Sequence, residues 1–272
     1  MQYQTYNPPA DLEFLVKCFW TLEVPAEAAG QQQRILPDGC MEMIFTLGDD
    51  IRRLQGDAWI TQPRAMVVGQ ITEAFVIEPT GYVQAFGTRF YPYGFAHFLT
   101  VPARDLNDKE TPLDILFGKK AAKELGEKIT AAADTQKRIC IVRDFLLARL
   151  SDQDTIDKIV KSTIDTLLSS GGGTAIHTIL GDNLPKRRQL ERNFLKQVGM
   201  TPKQLGKVIR LQTALKIMLS EQAESLTSIA YESEYYDQAH FIRDFKELTG
   251  MNPKAFSDKG QMALSALFYK PG

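Results

Sequence analysis

Basic side chains recur at helical spacing between residues 186 and 196, and their chemistry suits DNA binding. Arg188, Arg192 and Lys196 stand four residues apart, so on a helix they share one face. The apolar positions of the same segment fall on the opposite face: Leu190, Phe194 and Val198. Arginine can hydrogen-bond guanine O6 and N7 in the major groove, and lysine can neutralise a phosphate. The spacing predicts a DNA-reading helix, with a solvated surface helix as the alternative.

A similar pattern begins at Gln238, about 50 residues after the first. Phe241, Phe245 and Leu248 predict a buried stripe, and Asp237 is placed to cap the helix. The connecting segment 203–220 predicts a helix of about 17 residues, roughly 25 Å long. That length suits two reading helices in successive major grooves, which recur every 34 to 36 Å. The chain therefore predicts two helix-turn-helix units, each with a short first helix, at 175–181 and near 226–230.

Charge is segregated along this region although the whole chain is nearly neutral, with a formal net charge of -1. Segment 174–223 has nine Lys and Arg against three Asp and Glu, a local charge of +6. Segment 224–258 has three basic and seven acidic residues, a local charge of -4. The first unit is therefore expected to hold DNA phosphates more strongly than the second.

Composition excludes several other classes of protein. The chain has 272 residues, of which 44% are apolar and 24% charged, as in a soluble globular protein of two domains. Its three cysteines lack C-x-x-C spacing, which indicates neither a disulfide framework nor a thiolate zinc site. No segment resembles a signal peptide or a membrane span, so we expect a cytoplasmic protein. We find no nucleotide-binding or serine-hydrolase motif, and predict no enzyme activity, metal or cofactor.

The elements that must carry these residues change in type along the chain. Residues 1–134 contain short apolar stretches bounded by Gly, Pro and Asp, which predict a β-rich domain. Residues 135–170 show helical periodicity and are assigned to linker or dimerisation helices, with packing on the β domain as the alternative. A run of three glycines then predicts a boundary, followed by an all-α domain at 171–260 and a tail at 261–272. The fold class is α+β.

The C-terminal residues resemble the AraC/XylS family of bacterial transcription regulators. The resemblance is carried by Ser225-Leu226-x-x-Ile229-Ala230, by residues 235–246 and by Thr249-Gly250-Met251-Asn252-Pro253. The first unit matches through Arg188-x-Leu190-x-Arg192-x-Phe194 and Gly199-x-x-Pro202-Lys203. The resemblance implies double-stranded DNA as a partner and two base-reading helices.

The positions that it implies for DNA contact lie on both predicted reading helices: Lys186, Arg187, Arg188, Glu191, Arg192, Lys196, Gln238, Ala239, His240, Ile242, Arg243 and Lys246. Two positions depart from the family pattern. Lys186 stands where the family usually has a small capping residue, which predicts a weaker N-cap. Glu234 stands where the family usually has glycine, which predicts either a positive φ at Glu234 or an altered turn.

The N-terminal half is similar to the sensor-type domain that precedes this module in a subgroup of AraC-like regulators. The similar motifs include Leu36-Pro37-Asp38-Gly39-Cys40-x-Glu42, Val68-Gly69-Gln70 and Phe86-Gly87-x-Arg89-Phe90-x-Pro92. The resemblance implies a β-sandwich or a degenerate cupin-like barrel that could enclose a small-molecule effector. Candidate lining residues are Trp20, Glu42, Trp59, Arg89 and Tyr91, with structural packing as the alternative.

These observations predict a DNA-binding transcription regulator whose N-terminal domain senses a small molecule, dimerises, or does both. One alternative is a constitutive DNA-binding protein with a purely dimerising N-terminal domain. Another is a cupin-like enzyme fused to a DNA-binding domain, but the N-terminal half contains a single histidine, His97, where a cupin metal site needs several. A homodimer and a contact with RNA polymerase are the further partners expected.

Overall fold

The computed structural model describes residues 1–150, 156–174, 178, 183–220 and 225–257. Its first part contains ten strands: β1 Gln2–Tyr6, β2 Val16–Val24, β3 Gln33–Ile35, β4 Glu42–Thr46, β5 Ile51–Gln55, β6 Ala58–Thr61, β7 Ala65–Val68, β8 Phe75–Pro79, β9 Val83–Phe90 and β10 Glu110–Pro112. They form a six-stranded sheet in the order β1-β2-β9-β4-β7-β10 and a four-stranded sheet in the order β3-β8-β5-β6. Every strand pair is antiparallel.

The two sheets pack face to face, as the strand pattern requires. On β2, Trp20 and Leu22 point into a core shared with Phe75 and Ile77 of the smaller sheet. Phe19 points the other way, because successive side chains of a strand alternate between faces. The six-stranded sheet is therefore buried on both faces, and the prediction of a β-rich sandwich is confirmed.

Three helices cover the outer face of the six-stranded sheet: α1 Leu113–Phe117, α2 Lys119–Ala131 and α3 Thr135–Leu147. Leu125 of α2 and Ile139, Val142 and Leu146 of α3 are buried with the strand residues of that face. Helix α4, Lys158–Ser169, instead packs Val160, Ile164 and Leu167 into the C-terminal core. The apolar faces of both helices in 135–170 are thus buried inside one chain, each in a different core, as the packing alternative expects for α3.

The C-terminal part continues with five described helices: α5 Leu184–Gln197, α6 Pro202–Leu219, α7 Leu226–Glu232, α8 Gln238–Thr249 and α9 Pro253–Ser257. They share one core with α4. The predicted helix at 175–181 and the predicted tail at 261–272 lie outside the described residues. No helix within the described ranges has the length and apolar character needed to cross a bilayer.

Side chains satisfy the first backbone N–H groups of these helices. The side-chain Oδ1 of Asn183 accepts a hydrogen bond from the Lys186 N–H at 3.1 Å, and Asp237 Oδ1 accepts one from the His240 N–H at 2.7 Å. Thr201 and Gln204 form a reciprocal capping box at the start of α6. These caps set the starting points of both predicted reading helices, α5 and α8.

Candidate nucleic-acid interface and ligand cavity

Helix α5 presents a row of basic side chains to solvent. Arg188, Arg192 and Lys196 are exposed, and none of them forms an ion pair with another described residue. Leu190 and Phe194, on the opposite face, are completely buried. The helix is therefore fixed on its apolar side, and its cations are available to an external partner.

The first turn of α5 adds two more exposed cations, Lys186 and Arg187. Arg187 Nε lies 3.4 Å from the Glu191 carboxylate, one helical turn later. Both partners are about half exposed, so this ion pair contributes less than about 1 kcal/mol and is easily exchanged for a phosphate contact.

The residues of α8 that are predicted to contact DNA are less exposed than those of α5. Ala239, Arg243 and Lys246 are exposed, but Gln238 and His240 are partly buried, and so is Ile242, which packs against the C-terminal core. Gln238 Oε1 accepts a hydrogen bond from the Thr227 hydroxyl at 3.0 Å. Gln238 and His240, at the start of this helix, therefore both have partners within the domain, since His240 contacts Asp244.

A buried carboxylate, Asp244, joins α8 to α6. Its side chain is 1% exposed and lies 3.2 Å from Lys207 Nζ, 3.6 Å from Arg210 Nη2 and 3.2 Å from His240 Nε2. Arg210 also lies over the Tyr235 ring and donates a hydrogen bond to the Gly172 carbonyl at 2.7 Å. Two cations of the basic first segment are thus used to fix the position of the second reading helix.

A cavity of about 100 Å³ lies between the two sheets of the N-terminal domain. Its wall is mainly apolar and comes from both sheets and their loops: Trp20, Leu22, Ile35, Leu36, Cys40, Ile44, Ile51, Met66, Val68, Ile71, Phe75, Ile77 and Ala85. Gly87 makes room for the wall residue Trp20, because a Cβ at Gly87 would lie 2.1 Å from Trp20 Cε2. The size and lining suit a small apolar molecule.

Charged side chains stand at one end of the cavity. Arg89 Nε lies 2.5 Å from Glu42 Oε1 and 3.5 Å from Asp38 Oδ2, and all three side chains line the cavity and are about 15% exposed. Gln62 is the remaining polar lining residue and donates a hydrogen bond to Glu110. The charged end therefore holds two carboxylates and one guanidinium.

Burial and charge shift the pKa values of these groups in ways that follow from the geometry. Desolvation raises the pKa of Glu42, against the lowering effect of Arg89. Burial alone would lower the pKa of Arg89, but the Glu42 and Asp38 carboxylates outweigh it, so the guanidinium stays charged. Burial raises the pKa of the lining Cys40 thiol to about 12, which makes this cysteine a neutral wall residue.

The structure brings together three of the five predicted effector residues and separates two. Trp20, Glu42 and Arg89 line the cavity. Trp59 and Tyr91 are not among the lining residues. The Trp59 ring, on β6, has its centroid 6.0 Å from Arg52 Cζ, and Tyr91 stacks on Tyr93 beside the C-terminal core. Among the residues that the structure describes, no three His, Cys, Asp or Glu side chains are grouped to hold a metal ion.

Comparison with known families covers both parts of the chain. Residues 186–259 match the family described as a helix-turn-helix domain, and residues 4–112 match a domain family of unknown function, DUF6597. The first match begins in the first turn of α5 and continues through α9, so it includes most of α5 and all of α8. The C-terminal domain is an AraC-type helix-turn-helix domain. Domains of this type occur in transcription regulators, which are not an enzyme family.

The solved structures that this chain matches include three of ToxT from Vibrio cholerae. The 1.65 Å structure in the P21 form has 12% identity and a TM-score of 0.48, with complete coverage of both chains. The complex with (E)-4-(8-methylnaphthalen-1-yl)but-3-enoic acid has 12% identity and a TM-score of 0.46, covering 94% of this chain and 98% of that one. The unsaturated fatty acid bound form from strain SCE256 has 12% identity and a TM-score of 0.42, covering 87% and 94%. No curated protein matches the sequence.

The structure shows the local backbone at Lys186 and Glu234, the two positions that depart from the family pattern. The prediction of a weak N-cap at Lys186 is wrong, because the helix begins earlier and Asn183 caps it. Lys186 instead lies in the first turn, where its N–H is the group that Asn183 binds. Glu234 adopts a positive φ of 60°, one of the two outcomes that the sequence predicts.

The N-terminal domain contacts the C-terminal ends of both reading helices of the AraC-type domain. Asn107 Nδ2 donates a hydrogen bond to the Gly199 carbonyl, beyond α5, at 2.7 Å. At the end of α8, the Ala74 N–H donates to the Leu248 carbonyl at 3.0 Å, and Arg34 Nη1 donates to the Thr249 carbonyl at 3.3 Å. These bonds satisfy helix-end carbonyl groups and leave the basic row of α5 exposed.

A loop at 36–40 connects the cavity to helix α6. Leu36, Asp38 and Cys40 line the cavity, and Leu36 also belongs to the C-terminal core. The Pro37 carbonyl accepts a hydrogen bond from Gln212 of α6. Gly39 approaches Leu205 so closely that an added Cβ would lie 2.9 Å from Leu205 Cδ1. One loop thus touches both the cavity and the AraC-type domain.

Sequence reasoning missed Asp38, Cys40 and Asp244. Asp38 and Cys40 belong to the motif that carries the N-terminal resemblance, so the signal was present in the motif's position beside Glu42. Asp244 stands between Phe241 and Phe245 on the apolar side of α8. A charged residue on an apolar stripe indicates a buried ion pair, and this pattern could have identified it.

Proposed function

We propose that this chain is a sequence-specific transcription regulator in which α5 enters one major groove and α8 the next. The observation that supports it most strongly is the row of Arg188, Arg192 and Lys196 on a helix whose opposite face is fully buried. Arg188 and Arg192 are the proposed base-reading side chains, and Lys186 and Lys196 the proposed phosphate contacts. Arg243 and Lys246 are the corresponding contacts from α8.

Selection of bound sequences from a random duplex pool, followed by affinity measurements on the winning site, tests this proposal. Arg188→Ala and Arg192→Ala should each weaken binding by about 1–3 kcal/mol and relax the preference at one base pair. Lys120→Ala, an exposed cation on α2, is the matched control and should leave affinity unchanged. Unchanged affinity and selectivity in the Arg188 and Arg192 variants would refute the assignment of α5.

The second part of the proposal is that the N-terminal domain senses a small molecule in the cavity between its sheets. The cavity supports this part by its apolar wall and its single charged end. The loop at 36–40 supplies a route to DNA binding, because a molecule against Asp38 and Cys40 would press on the segment that contacts Leu205 and Gln212 of α6. Binding in the cavity would then alter how α6 holds the two reading helices.

A cavity-filling substitution separates a sensor from a purely dimerising domain. Ala85→Leu places extra methyl groups in the cavity, where Ala85 is 1% exposed. In a sensor, the variant should change DNA affinity several-fold while the protein stays folded. Ala122→Leu, on α2 against the other core, should leave DNA affinity unchanged. A folded Ala85→Leu protein with wild-type DNA affinity would favour the constitutive alternative.

The remaining parts concern location and partners. A DNA-binding regulator of this type is proposed to act in the cytoplasm and to have no enzyme activity or cofactor. A homodimer and a contact with RNA polymerase also belong to the proposal. Because Ile139, Val142 and Leu146 of α3 and the corresponding Val160, Ile164 and Leu167 of α4 are buried within the chain, a dimer would not form through these residues.

A further inference from the structure

The charged end of the cavity carries more negative than positive groups. Glu42 and Asp38 both lie within 3.5 Å of the single guanidinium of Arg89. A second cation, Lys17, interacts electrostatically with Cys40, Asp38 and Glu42 from outside this end, but it is exposed to solvent and does not line the cavity. Within the described lining, Arg89 is the one cation, and two carboxylates already surround it.

A carboxylate ligand would therefore meet repulsion where it would need attraction. Like charges brought together in a poorly hydrated site are strongly unfavourable, and within the part of the lining that the structure describes only Arg89 offsets the two carboxylates. Their oxygens instead act as hydrogen-bond acceptors and would bind a donor group on the ligand.

The indole of Trp20 supplies a complementary group in the same cavity. Trp20 is 4% exposed, and its Nε1 has no hydrogen-bond partner among the described residues. Trp20 and Ile44 flank Gly87 in the six-stranded sheet, and Glu42 pairs with Arg89 two residues along the same strands. The unpaired donor and the Glu42 carboxylate thus occupy neighbouring rows on one face of the sheet, and Asp38 stands on the adjoining loop.

We propose that the cavity binds a small apolar molecule carrying a hydroxyl group, an alcohol or a phenol, and discriminates against carboxylates. A hydroxyl can donate to Glu42 or Asp38 and accept from Trp20 Nε1, whereas an ammonium group has no lone pair for the indole. The cavity of about 100 Å³ is smaller than an engineered cavity of about 150 Å³ that binds benzene, so the apolar part of the ligand can be one ring at most. This inference rests on the proposed sensing function and specifies its ligand class.

Four probes of equal ring size test it on the full chain: benzyl alcohol, benzylamine, benzoate and toluene. Binding is measured by calorimetry and by Trp20 indole chemical shifts. We expect benzyl alcohol to bind at least tenfold more tightly than benzoate and more tightly than benzylamine or toluene.

Equal binding of all four probes would overturn the proposed ligand class but leave the proposed sensing function intact. Tightest binding by benzoate or benzylamine would also overturn it. No binding by any probe would remove both the ligand class and the proposed use of this cavity.

Variants of the charged end sharpen the test. Glu42→Gln removes the nearest carboxylate from Arg89, so the ratio of benzyl alcohol to benzoate affinity should fall at least fivefold. Asp38→Asn should act in the same direction and serves if the first variant does not fold. Trp20→Phe should weaken benzyl alcohol severalfold but not toluene. Glu127→Gln, an exposed carboxylate on α2, is the control and should change neither ratio. An unchanged ratio in folded Glu42→Gln or Asp38→Asn protein would contradict the proposal.

Discussion

The two predicted reading helices of the AraC-type domain, α5 in its first half and α8 in its second, use their polar side chains differently. In the first half, Arg188, Arg192 and Lys196 extend from α5 without an ion pair to another described residue. In the second half, His240 at the start of α8 lies against Asp244 inside the domain. A DNA-binding helix must be held in place by its own domain, and its polar side chains must be exposed to DNA. The cations of α5 are exposed, whereas polar side chains of α8 help to hold that helix in place.

The folded structure partly cancels the charge difference between segments 174–223 and 224–258, because some of their opposite charges pair with each other. Lys207 and Arg210 contribute to the +6 of the first segment, and Asp244 and Glu247 contribute to the -4 of the second. Lys207 lies within 3.2 Å of both carboxylates, and Arg210 lies 3.6 Å from Asp244. Part of the segregation is therefore a set of ion pairs between α6 and α8, and another part is the exposed basic row on α5.

Among the substitutions that compare the two halves, we expect the largest loss of stability from a change at Asp244. Asp244→Asn should lower the free energy of unfolding by about 3 kcal/mol, because removing one partner of a buried ion pair leaves the others without compensation. This lies at the low end of the roughly 3–5 kcal/mol for such losses, since Lys207 and Arg210 are partly exposed. Urea denaturation measures the change. Glu247→Gln, which alters an exposed partner of the same lysine, should cost less than about 1 kcal/mol. Equal losses for the two variants would contradict the positioning role of Asp244.

The salt dependence of DNA binding compares the halves directly. Lys196→Gln should lower the slope of log K against log salt concentration by roughly one unit, because each phosphate contact releases about one counterion. Lys246→Gln should lower it less, since the second half carries the acidic excess. Titrations between low and moderate salt measure both slopes, and a larger change for Lys246→Gln would reverse the proposed order.

Matched cap substitutions compare the two reading helices. Asn183→Ala and Asp237→Ala should each reduce stability by about 1 kcal/mol, through loss of the bond to an N–H of the first turn. Loss of Asp237 should be slightly larger, because its negative charge also interacts with the helix dipole. Thermal unfolding gives the stabilities, and DNA titration should show the larger affinity loss for Asn183→Ala. The opposite order of affinity losses would show that α8 contributes more to binding.

The smallest effect is expected at the second turn. Glu234→Gly should raise stability by about 0.5–1 kcal/mol, because glycine adopts the φ of 60° without the penalty of a side chain. Asp108 has a similar φ of 57°, but its carboxylate accepts hydrogen bonds from the Thr72 N–H and hydroxyl. Asp108→Gly should therefore destabilise the protein, and a stabilising result there would show that backbone strain outweighs those bonds.

Local properties of the chain were readable from the sequence because they depend on neighbours along it. The buried stripes of α5 and α8, the Asp237 cap and the strands around residues 42–46 and 83–90 follow from periodicity and capping chemistry. The motifs that surround Arg188 and Phe241 were sufficient to indicate an AraC-type helix-turn-helix domain, which the family match confirms. The Asn183 cap was missed because the family pattern pointed to Lys186.

Partners that are distant in the chain were decided by the tertiary structure alone. An amphipathic pattern shows that one face of a helix is buried but not what covers it, so it could not assign α3 to the β domain and α4 to the C-terminal core. For the same reason, composition could not separate Trp20, which lines the cavity, from Trp59, which does not. The cavity and its link to α6 depend on strand order and on a loop that contacts both domains, and these contacts arise only when residues far apart in sequence pack together.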